Sequence, residues 1–186
     1  SNTFQACSNN KISENKVIGR AARDLKRGIV VQNCSSTEVS YNEVRQFGDF
    51  DAAIFISNTG LSAITKTTID GNTIVSGNAS GLFYQGIDAG VTELDQSIIR
   101  GNVVNDFLRN GIIVTNVRGK GVGAGAGNEV AYNTVRDVNK GGFANTNAFN
   151  LQNLNKTAID RNMALLTTGT AGVTGYGFFI ANSTNL

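Results

Sequence analysis

Acid and base side chains recur in segments of uneven length that separate short apolar runs of this sequence. Two carboxylates a few ångströms apart can divide the roles of general acid and general base, as they do in glycoside hydrolysis. The alternative is that these side chains are solvated turn residues, because loops carry both kinds. The candidates are Asp51, Asp88 and Arg109 for catalysis, and Tyr84, Asp106, Arg136 and Lys140 for substrate binding.

Composition removes several other kinds of active site. The chain has 186 residues with no His, no Trp and no Pro. Without His, the Ser-His-Asp and Cys-His mechanisms and most zinc sites are excluded. The net charge is +2 and the basic residues are scattered, so we expect no nucleic-acid partner. No apolar run approaches the length of a membrane span, so we expect none.

An asparagine returns at a near-constant interval along the chain. The pattern apolar-x-x-Asn-x-apolar occurs six times, and its asparagines are separated by 27, 30, 30, 31 and 29 residues. Near-constant spacing of this kind is the mark of a repeat protein. The six asparagines are Asn15, Asn42, Asn72, Asn102, Asn133 and Asn162.

A second set of short segments lies between these asparagine motifs. The first reads GIVVQN and the fourth reads GIIVTN, and five of the six end in Asn, with Val91 in that place in the third. Alternation places β-branched side chains on one face of each segment, as in a strand. A period near thirty made of short strands predicts a parallel β-helix in which each period forms one coil, with inward asparagines bonding backbone groups at the corners.

The repeated segments N-x-V and G-I-x-V resemble the right-handed parallel β-helix repeats of the pectate-lyase-like superfamily. The resemblance covers essentially the whole chain, and it is specific for fold rather than for activity. It implies an all-β, right-handed parallel β-helix (solenoid) of about six coils. It also implies a secreted or cell-surface protein that binds polysaccharide or acts on it as a lyase, hydrolase or epimerase.

In enzymes of that superfamily the glycan lies across outward positions of a stacked sheet and the loops beside it. Stacking would bring Asp51, Asp88 and Arg109 towards one edge, with Tyr84 nearby. Lyases of this fold place carboxylates around Ca²⁺, which makes Ca²⁺ a candidate cofactor here, although the metal ligands stay unknown. No motif of this sequence matches either the lyases or the hydrolases residue by residue.

A non-catalytic rod is the alternative function. Such a rod would be a glycan-binding or adhesive segment of a phage tailspike or a surface protein, with loops that bind and sheets that only scaffold. The absence of His and the small size weigh towards it. We expect one domain over residues 1–186, a piece of a longer protein, with flanking domains or partner subunits covering the coil ends because open strand edges invite aggregation.

Two further pairs follow from the stacking of coils. Asp70 and Arg100 fall at the same outward position of neighbouring coils, which predicts a cross-coil ion pair. Cys7 and Cys34 also share a position on adjacent coils, at about the Cα separation that a disulfide needs. They are either two stacked thiols or a disulfide of an oxidising compartment, and without His neither is expected to be catalytic.

Overall fold

The computed structural model describes residues 7–18, 27–45, 52–57, 64–75, 87–90, 94–107, 109–118, 127–138, 146–165, 175–184 and 186. In these ranges the chain forms short strands, and no helix occurs among them. In chain order the strands are β1 (Cys7–Ser8), β2 (Lys11–Ser13), β3 (Lys16–Ile18), β4 (Arg27–Gln32), β5 (Cys34–Ser35), β6 (Glu38–Ser40), β7 (Glu43–Arg45), β8 (Ala52–Ser57), β9 (Ile64–Thr65), β10 (Thr68–Asp70), β11 (Thr73–Val75), β12 (Ile87–Ala89), β13 (Leu94–Asp95), β14 (Ile98–Arg100), β15 (Val103–Asn105), β16 (Ile112–Thr115), β17 (Val117–Arg118), β18 (Asn128–Ala131), β19 (Thr134–Arg136), β20 (Thr146–Gln152), β21 (Thr157–Asp160), β22 (Met163–Leu165) and β23 (Gly175–Ala181).

Three long parallel sheets form the walls of the solenoid. Sheet 1 has the order β2-β6-β10-β14-β18-β21, sheet 2 runs β3-β7-β11-β15-β19-β22, and sheet 3 runs β4-β8-β12-β16-β20-β23. Two short sheets, β1-β5 and β9-β13-β17, lie between sheet 3 and sheet 1. Each strand pairs with the strand one period away, so the chain winds through all three walls before it returns. The predicted all-β parallel solenoid is confirmed.

The number of enclosed turns is smaller than the number of coils predicted. Each long sheet has six strands, and four of the six have a neighbour on both sides. The first and last strands of each sheet are edges. We therefore count about four enclosed turns flanked by an open coil at each end, where the sequence predicted about six coils. Right-handed coiling stays a prediction.

Stacked apolar side chains fill the interior. In sheet 1 the register pairs Val39 with Ile69, Ile69 with Ile99 and Ile99 with Val130, and all four are at most 2% exposed. Equivalent columns run through the other walls because the parallel register places the same repeat position on every coil. Burying one such side chain contributes roughly 1.5–3 kcal/mol.

Burial differs between the two ends of sheet 3. In the edge strand β4 the inward Ile29 and Val31 are only 6% and 4% exposed. In the opposite edge strand β23 the equivalent Phe178 and Ile180 are 41% and 45% exposed. Phe178 stacks with one ring face on Phe149, with 4.6 Å between the ring centroids. That flanking domains or subunits cover the ends stays a prediction.

The six asparagines form one continuous ladder at the corner between sheets 1 and 2. Each rung repeats the same geometry: the main-chain N and side-chain Nδ2 of one Asn both donate to Oδ1 of the Asn one coil later. For Asn42 and Asn72 these distances are 2.9 and 3.0 Å, and Nδ2 of Asn42 also donates to the carbonyl of Ile12 at 2.8 Å. The predicted inward, bonded asparagines are confirmed at this corner.

Cys7 and Cys34 form a disulfide. They pair across β1 and β5, with 4.5 Å between their Cα atoms. The bond ties the first coil to the second. Of the two alternatives left open by the sequence, the stacked free thiols are thus the wrong one.

Candidate functional site

Four of the seven residues predicted from sequence fall in the described ranges, in or beside sheets 2 and 3. Asp88 is the central residue of β12, half-buried between Phe55 and Ile113 of the neighbouring coils. Gly111 accepts a hydrogen bond from the main-chain N of Ile87 at 2.9 Å. Arg109 comes two residues before Gly111, so Asp88 and Arg109 lie on neighbouring coils near the start of sheet 3.

Asp106 and Arg136 approach this corner from sheet 2. Asp106 directly follows β15, and its main-chain N donates to the carbonyl of Arg136 at 3.2 Å on the next coil. Phe107, the next residue, is buried, and its main-chain N donates to the carbonyl of Asp137 on the next coil at 3.1 Å. Burial of the ring and this hydrogen bond both hold the segment in place. Asp106, Arg109 and Arg136 thus lie where sheet 2 leads into sheet 3, and Asp88 lies within sheet 3 on the coil before Arg109.

The remaining predicted residues fall elsewhere. Asp51, Tyr84 and Lys140 lie outside the residues that the structure describes. Among the described ranges no group of three or more His, Cys, Asp or Glu side chains could hold a metal ion. The described part of this corner therefore does not itself offer the carboxylate set that Ca²⁺ prefers. The catalytic and binding roles assigned from sequence stay predictions.

A second surface, which the sequence did not single out, lies on the outside of the asparagine ladder. The residue before each ladder Asn is at the apex of the corner and has positive φ: Glu14, Tyr41, Gly71, Gly101, Tyr132 and Arg161. Two of these are exposed aromatic residues, Tyr41 at 62% and Tyr132 at 50%. We call the surface formed by Tyr41, Asp70, Gly71, Arg100, Gly101 and Tyr132 the corner notch.

Tyr41 lies across the neighbouring coil because Gly71 has no side chain. A Cβ at Gly71 would be 2.6 Å from Cε1 and 2.7 Å from Cδ1 of the Tyr41 ring, closer than carbon atoms can approach. One ring edge of Tyr41 therefore rests on the backbone of Gly71, while the rest of the ring faces solvent. This seat fixes the ring as one wall of the corner notch.

The predicted ion pair of Asp70 and Arg100 is confirmed and lies beside the notch floor. Nε and Nη2 of Arg100 each donate to Oδ2 of Asp70 at 3.2 Å. The hydrogen bond to Asp70, together with its charge, raises the pKa of Arg100. Oδ1 of Asp70 accepts neither of these bonds and lies 3.2 Å from where a Cβ of Gly101 would be. The floor at Gly101 is thus bare backbone with a carboxylate oxygen at its rim.

Tyr132 forms the opposite wall and is held by the coil after it. Nη1 of Arg161 donates to the Tyr132 hydroxyl at 2.9 Å, and its guanidinium carbon is 5.4 Å from the ring centroid. Tyr41 and Tyr132 are three coils apart, which corresponds to roughly 14 Å along the solenoid axis. Two oriented aromatic side chains therefore bracket a paired carboxylate and guanidinium.

The sequence does carry a signal for the notch, in the type of residue that precedes the ladder Asn. This residue is Tyr in two repeats and Gly in the two repeats between them. Small residues flanked by aromatic ones at one repeat position indicate a local depression between rings. Alignment of the apolar and Asn positions alone misses this signal, and the pairing of Tyr41 with Gly71 itself depends on contacts between residues thirty positions apart.

A cavity of about 440 Å³ opens at the first coil, beside the disulfide. Lys11 is the charged side chain of its lining, and its Nζ pairs with Oε1 of Glu38 at 3.3 Å. Apolar side chains such as Ile12 and Val30 make up much of the rest. The lining offers a small apolar recess without a second ionisable group.

In the ranges that the structure describes, no helix has the length and apolar character to cross a membrane. Comparison of the chain with protein-family models, with curated proteins and with solved structures finds no match.

Proposed function

We propose that this chain is a secreted or cell-surface β-solenoid of the pectate-lyase-like kind that binds polysaccharide on its outer surface, at the corner notch. The observation that carries the proposal is the pair of exposed tyrosines, Tyr41 and Tyr132, on either side of the Asp70–Arg100 ion pair. Tyrosine offers a large, amphipathic contact surface at low cost in conformational entropy. Sugars need both an apolar platform and directional polar groups, and the notch has both.

The ion pair supplies the directional groups. Both bonds from Arg100 end on Oδ2 of Asp70, so Oδ1 is oriented to accept a hydrogen bond from a ligand hydroxyl. The guanidinium has five N–H groups, and those not directed at Asp70 can donate to a second oxygen. A carboxylate and a guanidinium side by side thus match two adjacent hydroxyls.

Rigidity supports binding as well. Each corner residue of the notch directly precedes a ladder asparagine in the chain. The side chains of these asparagines bond to the coils before and after them, as Asn102 does to Ile69 and Asn133. A surface that is already ordered loses little conformational entropy when a ligand binds.

Affinity electrophoresis through gels that contain soluble polysaccharides tests the proposal. We expect the protein to be retarded by at least one glycan, and the double variant Tyr41→Ala, Tyr132→Ala to migrate freely. Tyr176→Ala is the matched control, since Tyr176 is 51% exposed but lies at the end of sheet 3, away from the notch. Unchanged retardation of the double variant would place binding elsewhere.

Cleavage of the glycan is a second candidate function, favoured by the presence of Asp88, Arg109, Asp106 and Arg136 in and between sheets 2 and 3 on three successive coils. Incubation with acidic and neutral polysaccharides, with and without Ca²⁺, followed by mass spectrometry of the products, tests it. Unsaturated oligosaccharides that disappear in Asp88→Ala and Arg109→Ala variants would establish a lyase, and saturated ones a hydrolase. Release of no product from glycans that the protein binds would leave it a binding module.

A further inference from the structure

We infer that the ligand of the corner notch is a neutral polysaccharide, recognised through adjacent hydroxyl groups rather than through carboxylate or sulfate groups. The inference rests on the proposed function, and it adds the chemical class of the ligand. It follows from the ion pairs that the charged side chains around the notch form within the protein.

Five basic side chains in and around the notch are each paired with a carboxylate of the protein. Arg100 pairs with Asp70, as described above. On the sheet 1 side Lys11 pairs with Glu38, and on the sheet 2 side Lys16 pairs with Glu43 at 3.5 Å. The remaining pairs are Arg45 with Glu43 and Arg161 with Asp160 at 3.4 Å.

A carboxylate beyond these pairs adds negative charge. Glu129 pairs in register with Ile98 on sheet 1, and its charge acts on Arg100 in the same direction as that of Asp70. A uronate or sulfate group that approached the remaining N–H groups of Arg100 would be repelled by the carboxylates of Asp70 and Glu129. Like charges this close repel, and a guanidinium already bonded to a carboxylate gains little from a second one.

A neutral sugar does not meet this electrostatic repulsion. One hydroxyl can donate to Oδ1 of Asp70, and its neighbour can accept from the guanidinium of Arg100, while the ion pair between them stays intact. Hydrogen bonds to charged groups are the stronger kind, so the pair gives both affinity and orientation without a net charge on the ligand. Ring faces of the sugar then contact Tyr41 or Tyr132.

The spacing of the walls indicates a polymer rather than a single sugar. Roughly 14 Å separates the coils of Tyr41 and Tyr132, and the bare floor at Gly101 lies between them. A ligand that contacts both tyrosines must extend along the solenoid axis over several residues of the glycan. Affinity should therefore rise with oligosaccharide length until both rings are covered.

The test compares binding of the folded full chain to a neutral glucan, a neutral mannan, polygalacturonate, a sulfated galactan and a cationic glucosamine polymer, each at low and high salt. We expect retardation by a neutral polymer that is nearly independent of salt, because screening acts on charge–charge attraction alone. Asp70→Asn and Arg100→Gln should each weaken it by about tenfold, the size of one lost charged hydrogen bond. Lys16→Gln, which breaks a cross-coil ion pair of sheet 2 that is not part of the notch, is the control.

A second variant tests the position of the site without substituting any residue of the ion pair or either tyrosine. Gly101→Asn fills the floor with a side chain that tolerates the left-handed region, where φ of Gly101 is 63°. It should abolish binding of the neutral polymer, whereas Glu14→Asn, at the same corner position of the first coil, should not. Full affinity in Gly101→Asn, with unchanged circular dichroism, would overturn the notch as the site.

The outcomes separate the inference from the proposed function. Salt-sensitive binding to polygalacturonate, the sulfated polymer or the cationic polymer, without binding to either neutral one, would overturn the neutral class but keep polysaccharide binding. Retardation by none of the five polymers, with folded protein, would overturn the proposed function itself.

Discussion

Oδ1 of Asn102 accepts two hydrogen bonds from Asn72, one from Nδ2 at 2.9 Å and one from the main-chain N at 3.0 Å. Asn102 in turn donates to the carbonyls of Ile69 and Arg100 and to Oδ1 of Asn133, each at 2.9 Å. One fully buried side chain thus satisfies polar groups on three coils. The ladder is a continuous structural element, and it holds the residues of the corner notch in register.

Removing the centre of this ladder should destabilise the whole solenoid. Asn102→Ala leaves the main-chain N of Asn72 buried without its acceptor, and it removes one of the two acceptors of Asn72 Nδ2 and the side-chain donor to the carbonyl of Ile69. We expect a loss of about 3 kcal/mol in the free energy of unfolding. Asn15→Ala is the control: Asn15 is the exposed first member of the ladder and should cost about 1 kcal/mol. If urea denaturation gave the same loss of unfolding free energy for both variants, the stabilising role of the ladder would be contradicted.

The disulfide between Cys7 and Cys34 should stabilise the first coil. It closes a sequence separation of 27 residues, and the chain-entropy estimate for such a loop is about 3.5 kcal/mol. Cys7→Ser, Cys34→Ser and the double variant should lower the melting temperature alike, and reductant should lower that of the wild type but not of the variants. If reductant left the melting temperature of the wild type unchanged and two thiols could be titrated, the bond would be absent in solution.

Gly71 and Gly101 offer a matched pair of substitutions. Their φ angles are 64° and 63°, so Ala at either position carries the same backbone strain, about 1 kcal/mol. Only at Gly71 does the new Cβ also strike the Tyr41 ring. We expect Gly71→Ala to cost about 2 kcal/mol and Gly101→Ala about 1, by thermal unfolding.

The double variant Tyr41→Ala, Gly71→Ala identifies the cause of the difference. Once the ring is gone, Gly71→Ala should cost no more than Gly101→Ala does. A difference that persists without the ring would show that something other than Tyr41 rests on Gly71.

Glu38 should titrate at lower pH than an ordinary glutamate. The Ser40 hydroxyl donates to its Oε1 at 2.6 Å, and this hydrogen bond, aided by Lys11, lowers the pKa from its usual 4.5. Because the folded-state pKa is depressed, the contribution to stability is present above about pH 4.5 and is lost as the pH falls through the folded pKa.

NMR titration of the Glu38 carboxyl carbon checks this. Ser40→Ala should raise the midpoint more than Lys11→Gln does, since the hydroxyl is the larger cause. A Glu38 midpoint at or above 4.5 in the wild type would contradict the assignment.

Much of the fold could be predicted because the repeat encodes it locally. The ladder Asn, the β-branched alternation of segments such as GIIVTN, and a period near thirty each follow from what one coil needs. Register followed as well: the match of Cys7 with Cys34, and of Asp70 with Arg100, came directly from aligning the repeats. The number of enclosed turns did not, because sequence alone does not say which strands lack a neighbour.

Aligning the coils predicts that Asp51, Asp88 and Arg109 lie towards one edge. This stays a prediction, since Asp51 lies outside the described residues. The alignment of coils missed Tyr41 and Tyr132. A tyrosine before an asparagine does not by itself indicate a binding surface, because the position of the ring depends on the residue beneath it on the neighbouring coil.

By itself, the sequence determined the solenoid, its period and the inward asparagines. Strand alternation and the left-handed corner conformation depend on single residues and their neighbours in the chain. Only the tertiary structure decided what the corner presents to solvent. The Tyr41 ring rests on Gly71 and Arg161 holds Tyr132, each across about thirty residues. These are contacts between coils, and their geometry depends on side-chain volume and direction at positions that are neighbours only once the chain has wound.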